Sequence, residues 1–216
     1  MITTWSYSRY ATYKQCPRKA KYLYVDRLKE ASSEALDNGT RIHALMEEYL
    51  RVPGMPVPIE AKKFSAELEG LKKFGAKPEE MWAFDKDLKE CGTWAPEVWL
   101  RGKLDAYILS SDGVHLRIID FKTGKVRPKN MEQLDLYALM GFCKFLSLEH
   151  VTTELWYLDE GELQSEGYHV QLKPRLEQVW RARINPYFID TRFEPNPSRL
   201  CGWCSFSKGK GGPCEF

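Results

Sequence analysis

Two aspartates, Asp105 and Asp120, and a lysine, Lys122, are the residues whose types and spacing best suit chemistry. They lie in the segment GKLDAYILSSDGVHLRIIDFKTGK, which predicts a β-hairpin. In that hairpin the aspartates face each other about 5 Å apart at Cβ, a distance at which like charges repel unless a cation lies between them. Lys122 projects from the same face as Asp120, because strand side chains alternate with period two. A divalent cation on two carboxylates, with an ammonium beside it, suits hydrolysis of a phosphodiester by an activated water.

The register of the hairpin depends on its turn. With Asp112-Gly113 as a two-residue turn, Ser111 pairs with Val114 and the two aspartates stand opposite each other. A loop one residue longer would send one aspartate to the other face. The alternative is a surface hairpin with scattered charge. Apolar residues on both faces favour a sheet covered by helices on both sides, where an acid is costly unless it is paired or metal-bound. These apolar residues are Leu104, Ala106 and Ile108 on one face, and Tyr107, Leu109, Val114, Leu116 and Ile118 on the other.

A D-x-K motif and a later Q-x-x-x-Y pair follow the first aspartate. The residues concerned are Asp105, Asp120, Phe121, Lys122, Gln133 and Tyr137. Their order resembles the RecB-like branch of the PD-(D/E)XK nuclease superfamily. The resemblance implies that the two acids and the Phe121 backbone carbonyl bind Mg²⁺ or Mn²⁺, and that Lys122 orients or helps to deprotonate the attacking water. It also implies that Gln133 and Tyr137, four apart on one helix face, contact DNA phosphate or orient the lysine. Composition alone predicts instead a solvated glutamine and a tyrosine that packs in the core.

An earlier part of the chain supplies further candidates. The resemblance implies a histidine metal ligand on a preceding helix, and His43 in the amphipathic stretch NGTRIHALMEEYL is the match. Without the resemblance, a single histidine beside an apolar stripe is more often a packing or surface residue. Some members of the superfamily use an acid near the start of the next strand, which leaves both Glu79 and Glu80 open.

The second pattern is formed by four of the six cysteines, near the two ends of the chain. They are Cys16 in YKQCPRKAKY and Cys201, Cys204 and Cys214 in CGWCSFSKGKGGPCEF. A C-x-x-C pair with a third cysteine nearby has metal-ligand spacing, whereas Cys91 and Cys143 occur singly and are expected to be structural. A disulfide framework is typical of small secreted chains, whereas this chain is longer, with 216 residues. Metal ligation is therefore favoured, and four thiolates suit either zinc or a four-iron cluster.

This layout resembles a subset of RecB-like nucleases, including AddB-type repair subunits and CRISPR-associated adaptation exonucleases. Those proteins carry one cysteine before the nuclease core and three after it. The resemblance implies a structural [4Fe-4S] cluster that joins the chain ends, with zinc as the alternative. The interval between Cys204 and Cys214 is longer than usual, and we expect Gly211, Gly212 and Pro213 to let that loop fold back.

Composition fits one compact domain of 216 residues, with 43% hydrophobic content and a net charge of +2. No apolar run reaches membrane-spanning length, so we expect a cytoplasmic protein without membrane association. Basic clusters and N-terminal aromatic residues are secondary candidates for contact with DNA. They are Lys14, Arg18, Lys19 and Lys21; Lys125, Arg127 and Lys129; and Trp5, Tyr7, Tyr10 and Tyr13.

The elements that position these residues predict an α/β fold, a central mixed sheet flanked by helices. This agrees with the restriction-endonuclease-like core that the resemblance implies. We expect residues 1–216 to form one domain, with 1–36 and 190–216 as the cluster region, 40–189 as the nuclease core and a variable insert at about 51–93. The predicted elements are a helix over 8–30, a break at 37–39, a connection and short helix over 51–78, strands at TELWYLD and GYHVQL, and a helix from Pro174 to Ile189.

Three functions from different classes compete at this stage. The first is a Mg²⁺- or Mn²⁺-dependent DNA exonuclease acting on ends or single strands in recombination, repair or phage DNA processing. We expect it to stand alone, because no G-x-x-x-x-G-K-[ST] motor motif occurs. The second is a non-cleaving nucleic-acid-binding or assembly module, and the third is an iron-sulfur redox protein. The expected partners are DNA, a second copy of the chain or a recombination helicase.

Overall fold

A computed structural model describes residues 2–126 and 131–216. The helices are α1 (Tyr7–Gln15), α2 (Pro17–Tyr24), α3 (Glu34–Arg51), α4 (Ser65–Lys73), α5 (Met131–Lys144) and α6 (Lys173–Ile189). The strands are β1 (Lys77–Phe84), β2 (Leu100–Leu109), β3 (His115–Lys122), β4 (His150–Tyr157) and β5 (Glu162–His169). Short 3-10 helices include Ile59–Phe64, Val170–Leu172, Arg199–Trp203 and Lys208–Lys210.

The strands form one mixed sheet in the order β1-β2-β3-β4-β5. β3 and β4 are parallel, and the other neighbouring pairs are antiparallel. Helix α5 lies between β3 and β4 in the chain, as a parallel connection requires. The predicted α/β fold is therefore confirmed, and it is consistent with a restriction-endonuclease-like core.

Apolar side chains are buried on both faces of the sheet, as the two-sided pattern of β2 and β3 predicts. One core contains Leu116 and Ile118 together with residues of α5 and α6. The other contains Ala106, Ile119 and residues of α3 and α4. Asp120, near the end of β3, thus lies between two layers of helices and is buried.

The predicted register of the hairpin is confirmed. Ala106 pairs with Ile119, and one further step along this register sets Asp105 opposite Asp120. The acidic pair is thus placed by the pairing of two apolar strands.

The two-residue turn predicted for the hairpin is wrong, since Ser111 and Val114 lie outside the strands. Instead, the Ser110 amide donates to the His115 carbonyl at 2.9 Å, and the Gly113 amide donates to the Ser110 carbonyl at 2.9 Å. The loop is longer by one residue on each side. Because the lengthening is even, each strand side chain keeps its face.

The single helix predicted over 8–30 is divided at Cys16, which has φ −161° and ψ 109° between α1 and α2. Pro17 explains the division, because proline disfavours helical backbone at the preceding residue and is well placed at the first position of a helix. The predicted break at 37–39 is also wrong: α3 runs through it and is capped by the Ser33 hydroxyl, which accepts from the Leu36 amide at 3.3 Å.

The later elements follow the prediction with shifted ends: β4 covers His150–Tyr157 rather than TELWYLD, β5 ends at His169, and a 3-10 turn leads into α6. Within the described ranges, no helix is both long and apolar enough to cross a lipid bilayer.

Candidate active site

Helix α5 holds the carboxylate of Asp120 at the end of β3. The Tyr137 hydroxyl donates to Asp120 Oδ1 at 2.7 Å, and Gln133 Nε2 donates to the same oxygen at 2.9 Å. Gln133 Nε2 also lies 2.6 Å from the Tyr137 hydroxyl oxygen. All three side chains are buried, so the expectation of a solvated glutamine is wrong. Burial and the negative charge of Asp120 raise the pKa of Tyr137 well above its usual value, so the phenol remains a donor.

Lys122 completes this network. Its Nζ donates to Gln133 Oε1 at 2.8 Å and lies 2.6 Å from Asp120 Oδ2. The second contact is an ion pair without good hydrogen-bond alignment, because the buried Oδ2 has no hydrogen-bond partner among the described residues. One oxygen of Asp120 is thus saturated by α5, while the other keeps a lone pair for a further ligand.

The second acid, Asp105, is bonded on both oxygens. Oδ1 lies 3.0 Å from Nδ1 of His43 on α3, and Oδ2 accepts from the Phe121 amide at 2.8 Å. Burial, and then the negative charge of Asp120, raise the pKa of Asp105. The hydrogen bond to Asp105 raises the pKa of His43. The structure therefore brings His43 to the acidic pair, as the sequence predicts.

The donor set can be tested for its fit to a divalent cation. The two carboxylates supply the hard oxygen ligands that Mg²⁺ and Mn²⁺ prefer. The negative charges of Asp105 and Asp120 repel each other, and the buried Oδ2 of Asp120 lacks a hydrogen-bond donor among the described residues. These observations fit a cation. No group of three or more His, Cys, Asp or Glu residues within 2–126 and 131–216 is already arranged as a metal centre, and His43 and Asp105 are bonded to each other instead.

The structure distinguishes between the two glutamates that the sequence left open. Glu79 lies in the cleft with His43 and Asp105 and forms an ion pair with Lys103. Its φ is +40°, and the β1–β2 pairing skips it. Such backbone is strained for a residue with a Cβ and is found at functional sites.

Glu80 is held away from the cleft. Its Oε2 accepts from the Tyr107 hydroxyl at 2.5 Å, and its Oε1 lies 3.4 Å from Lys144 Nζ. Glu80 is therefore a structural residue and a natural control for Glu79.

The cleft in front of these residues has a volume of about 550 Å³. Its walls come from the start of α3, from β1 and β2, and from Thr123. The lining residues are Ala35, Leu36, Gly39, Thr40, His43, Ala44, Glu47, Glu79, Lys103, Asp105 and Thr123. Sequence reasoning missed Lys103, although its position two residues before Asp105 on a strand places both on one face.

The four cysteines near the chain ends line one pocket, here called the cysteine pocket. Each is a free thiol and is partly buried. Backbone amides face two of the sulfurs: the Asn196 amide lies 3.5 Å from Cys16 Sγ, and the Ser198 amide lies 3.3 Å from Cys201 Sγ. Cys91 and Cys143 do not line this pocket.

The loop before Cys214 folds back tightly, as its glycines predict. A Cβ on Gly212 would lie 2.3 Å from the Phe206 backbone, and Gly211 has φ +72°. The Cys214 amide donates to the Phe206 carbonyl at 2.9 Å. This path returns Cys214 to the pocket.

The N-terminal aromatic residues serve the core rather than the surface. Trp5 and Tyr10 are buried, and their ring centroids lie 5.6 and 5.2 Å from that of Trp180. This contradicts a base-stacking role for those two rings. In the predicted basic clusters, Lys14, Lys19 and Lys21 form ion pairs with acids. Arg127 and Lys129 lie outside the described residues.

Comparison with known proteins gives one family match. The model of the PD-(D/E)XK nuclease superfamily matches residues 4–84 and 58–208. No curated protein sequence matches the chain. Among solved structures, that of SSO0001 is 18% identical, with 100% of this chain and 87% of that chain covered and a TM-score of 0.44. A protein named "Putative exonuclease" from Eubacterium rectale is 16% identical, with 94% and 87% covered and a TM-score of 0.49.

Proposed function

The chain belongs to the PD-(D/E)XK nuclease superfamily, and from this premise we propose that it is a Mg²⁺- or Mn²⁺-dependent deoxyribonuclease that removes nucleotides from DNA ends or single strands. The observation that carries the proposal is the convergence on Asp120. Lys122, Gln133 and Tyr137 all contact this buried carboxylate, and Asp105 on the neighbouring strand lines the open cleft. A role in recombination, repair or phage DNA processing is part of the proposal.

His43, Asp105, Asp120 and the Phe121 carbonyl would hold the cation. Two observations support this set. Oδ2 of Asp120 has no hydrogen-bond donor among the described residues. Burial, and then the charge of Asp120, raise the pKa of Asp105, and a cation between the two carboxylates would offset both effects. When bound, a divalent cation neutralises charge on the scissile phosphate and lowers the pKa of a bound water.

Lys122 acts beside this position. The Gln133 amide oxygen fixes the Lys122 ammonium 2.6 Å from Asp120 Oδ2. The ammonium therefore faces the place where a water would be oriented for attack. Gln133 and Tyr137 are positioning residues, because both donate to Oδ1 and leave Oδ2 for the Lys122 ion pair and the metal.

Glu79 and Lys103 extend the site along the cleft. The side chain of Glu79 is only 10% exposed and that of Lys103 is 54% exposed, so the acid anchors a lysine whose ammonium reaches solvent. In this position Lys103 can contact a phosphate of the bound strand.

The cysteine pocket is proposed to hold a [4Fe-4S] cluster, with zinc as the alternative, in a nuclease of the iron-sulfur AddB-like subgroup. Four free thiols on one pocket and two backbone amides directed at sulfur support this proposal. The cluster would be structural, since it would join the α1–α2 junction to the C-terminal segment.

End-labelled single-stranded and duplex DNA, incubated with Mg²⁺, Mn²⁺ or EDTA, test the proposed activity. We expect metal-dependent loss of full-length DNA, and a drop in rate of about 10² to 10³ in Asp120→Asn and Lys122→Ala. Glu80→Gln is the matched control and keeps the wild-type rate. Intact DNA under every condition, with folded and metal-loaded protein, would contradict the nuclease proposal and favour a non-cleaving binding module.

A further inference from the structure

Trp203 is an indole that the fold leaves uncovered. It ends the 3-10 helix Arg199–Trp203, between Cys201 and Cys204, and it is 82% exposed. Burying an indole contributes much favourable free energy, so this ring could add to the affinity for a ligand that covers it.

The ring borders a groove of about 510 Å³, here called the tail groove, that also contains Lys19, Lys210 and Ser33. Leu36 lines both the tail groove and the candidate active-site cleft. The two depressions thus lie on either side of this side chain, in the first turn of α3.

Basic residues predominate in the two chain segments that supply Lys19, Trp203 and Lys210 to the tail groove. Segments 14–30 and 190–216 together contain ten Lys and Arg against five Asp and Glu, a net charge of +5 in a chain whose total is +2. The remaining residues are therefore net acidic. This asymmetry favours a polyanion over an acidic or neutral partner.

The lysines of the groove differ in their availability. Lys19 is paired with Glu30 at 2.6 Å. Lys210 is exposed and donates to the Trp203 carbonyl at 3.3 Å, so its ammonium lies beside the residue that carries the indole. Among the described residues, Lys210 makes no ion pair, so its ammonium can contact a phosphate.

We propose that Trp203 is a stacking platform for an unpaired base of the substrate, and that single-stranded nucleic acid passes from the tail groove into the cleft past Leu36. This inference rests on the proposed nuclease function and names how its substrate is held. An indole face accepts any base, while exposed lysines track the backbone.

Trp94 provides a matched control. It is 83% exposed, but the Arg101 guanidinium lies 4.6 Å from its ring centroid, and it lines neither the cleft nor the tail groove. Any effect of removing an exposed indole as such would occur equally at Trp94 and Trp203.

The test compares wild type, Trp203→Ala, Trp203→Phe and Trp94→Ala on a labelled oligothymidylate of about 20 nucleotides and on bis(p-nitrophenyl) phosphate. We expect Trp203→Ala to raise KM for the oligonucleotide about tenfold with kcat nearly unchanged, as loss of one base stack requires. Trp203→Phe restores most of the affinity, and Trp94→Ala has no effect. None of the variants changes cleavage of the small diester.

Equal KM values for wild type and Trp203→Ala would overturn the proposal, as would the same increase with Trp94→Ala. An equal loss of affinity for a blunt duplex in Trp203→Ala would also contradict the stacking of an unpaired base on the Trp203 ring. If the wild type cleaves neither substrate, the nuclease function fails, and anisotropy of the fluorescein-labelled oligonucleotide in EDTA still decides whether Trp203 binds it. Unchanged circular dichroism excludes misfolding of the variants.

Discussion

The cleft and the cysteine pocket differ in how many hydrogen-bond partners the protein itself provides for their polar side chains. In the cleft, Asp120 Oδ1 accepts from two donors of α5, and both oxygens of Asp105 have partners. In the cysteine pocket, two sulfurs face only backbone amides. The cleft is therefore positioned by packing against the sheet, whereas the cluster proposed for the pocket would add bonds between two chain segments that already meet through Arg18 and Tyr22.

The largest expected effect on stability comes from removing one thiol of the pocket. In metal-loaded protein, Cys16→Ser is expected to lower the free energy of unfolding by about 3 kcal/mol, because a ligand bound only to the folded state stabilises it. Urea unfolding, with metal content measured in parallel, checks this. Cys91→Ser, a partly buried thiol outside the pocket, is the control, and equal losses in both variants would remove the special role of Cys16.

A second change acts on the loop that returns Cys214. Gly212→Ala forces a Cβ against the Phe206 backbone and is expected to cost about 2 kcal/mol and to lower the metal content of the pocket. Gly209→Ala meets nothing within 4 Å and serves as the control. Full metal content in Gly212→Ala would show that the fold-back is not needed for ligation.

The smallest change in stability is predicted in the cleft. Tyr137→Phe removes one of the two donors to Asp120 and is expected to cost about 1 kcal/mol, with a several-fold slower cleavage of DNA. Tyr168→Phe loses a comparable bond, 3.0 Å to Asp135, away from the cleft. We expect the two variants to lose a similar free energy of unfolding and only Tyr137→Phe to cleave DNA more slowly. Equal cleavage rates in the two variants would show that Tyr137 does not contribute to catalysis.

The hairpin shows what the pattern of residues could predict. Asp105 and Asp120 were matched correctly although the turn between their strands was wrong. The loop is longer by one residue on each side, which leaves both the pairing of the strands and the face of each side chain unchanged. Alternation in the apolar strands thus determined the register more firmly than the identity of the turn residues.

Gln133 and Gly39 show where the pattern was insufficient. Composition predicts a solvated glutamine, but bonds to Asp120 and Lys122 satisfy its amide in the interior. Gly39 suggested a helix break, yet α3 continues because tertiary packing and the Ser33 cap outweigh a weak local propensity. The bonds of Gln133 and the packing of α3 depend on residues distant in the chain, which local sequence patterns do not supply.

Manganese binding tests the central claim most directly. Titration of Mn²⁺ followed by electron paramagnetic resonance compares wild type with Asp120→Asn, and Glu80→Gln serves as the control, with the cysteines intact in every variant. We expect Mn²⁺ to bind to wild type and Glu80→Gln, and its affinity to fall at least tenfold in Asp120→Asn, since the carboxylate, whose Oδ2 lacks a hydrogen-bond donor, is then replaced by a neutral amide. Equal Mn²⁺ affinity in wild type and Asp120→Asn would contradict a metal site on this carboxylate and, with it, the mechanism proposed for the cleft.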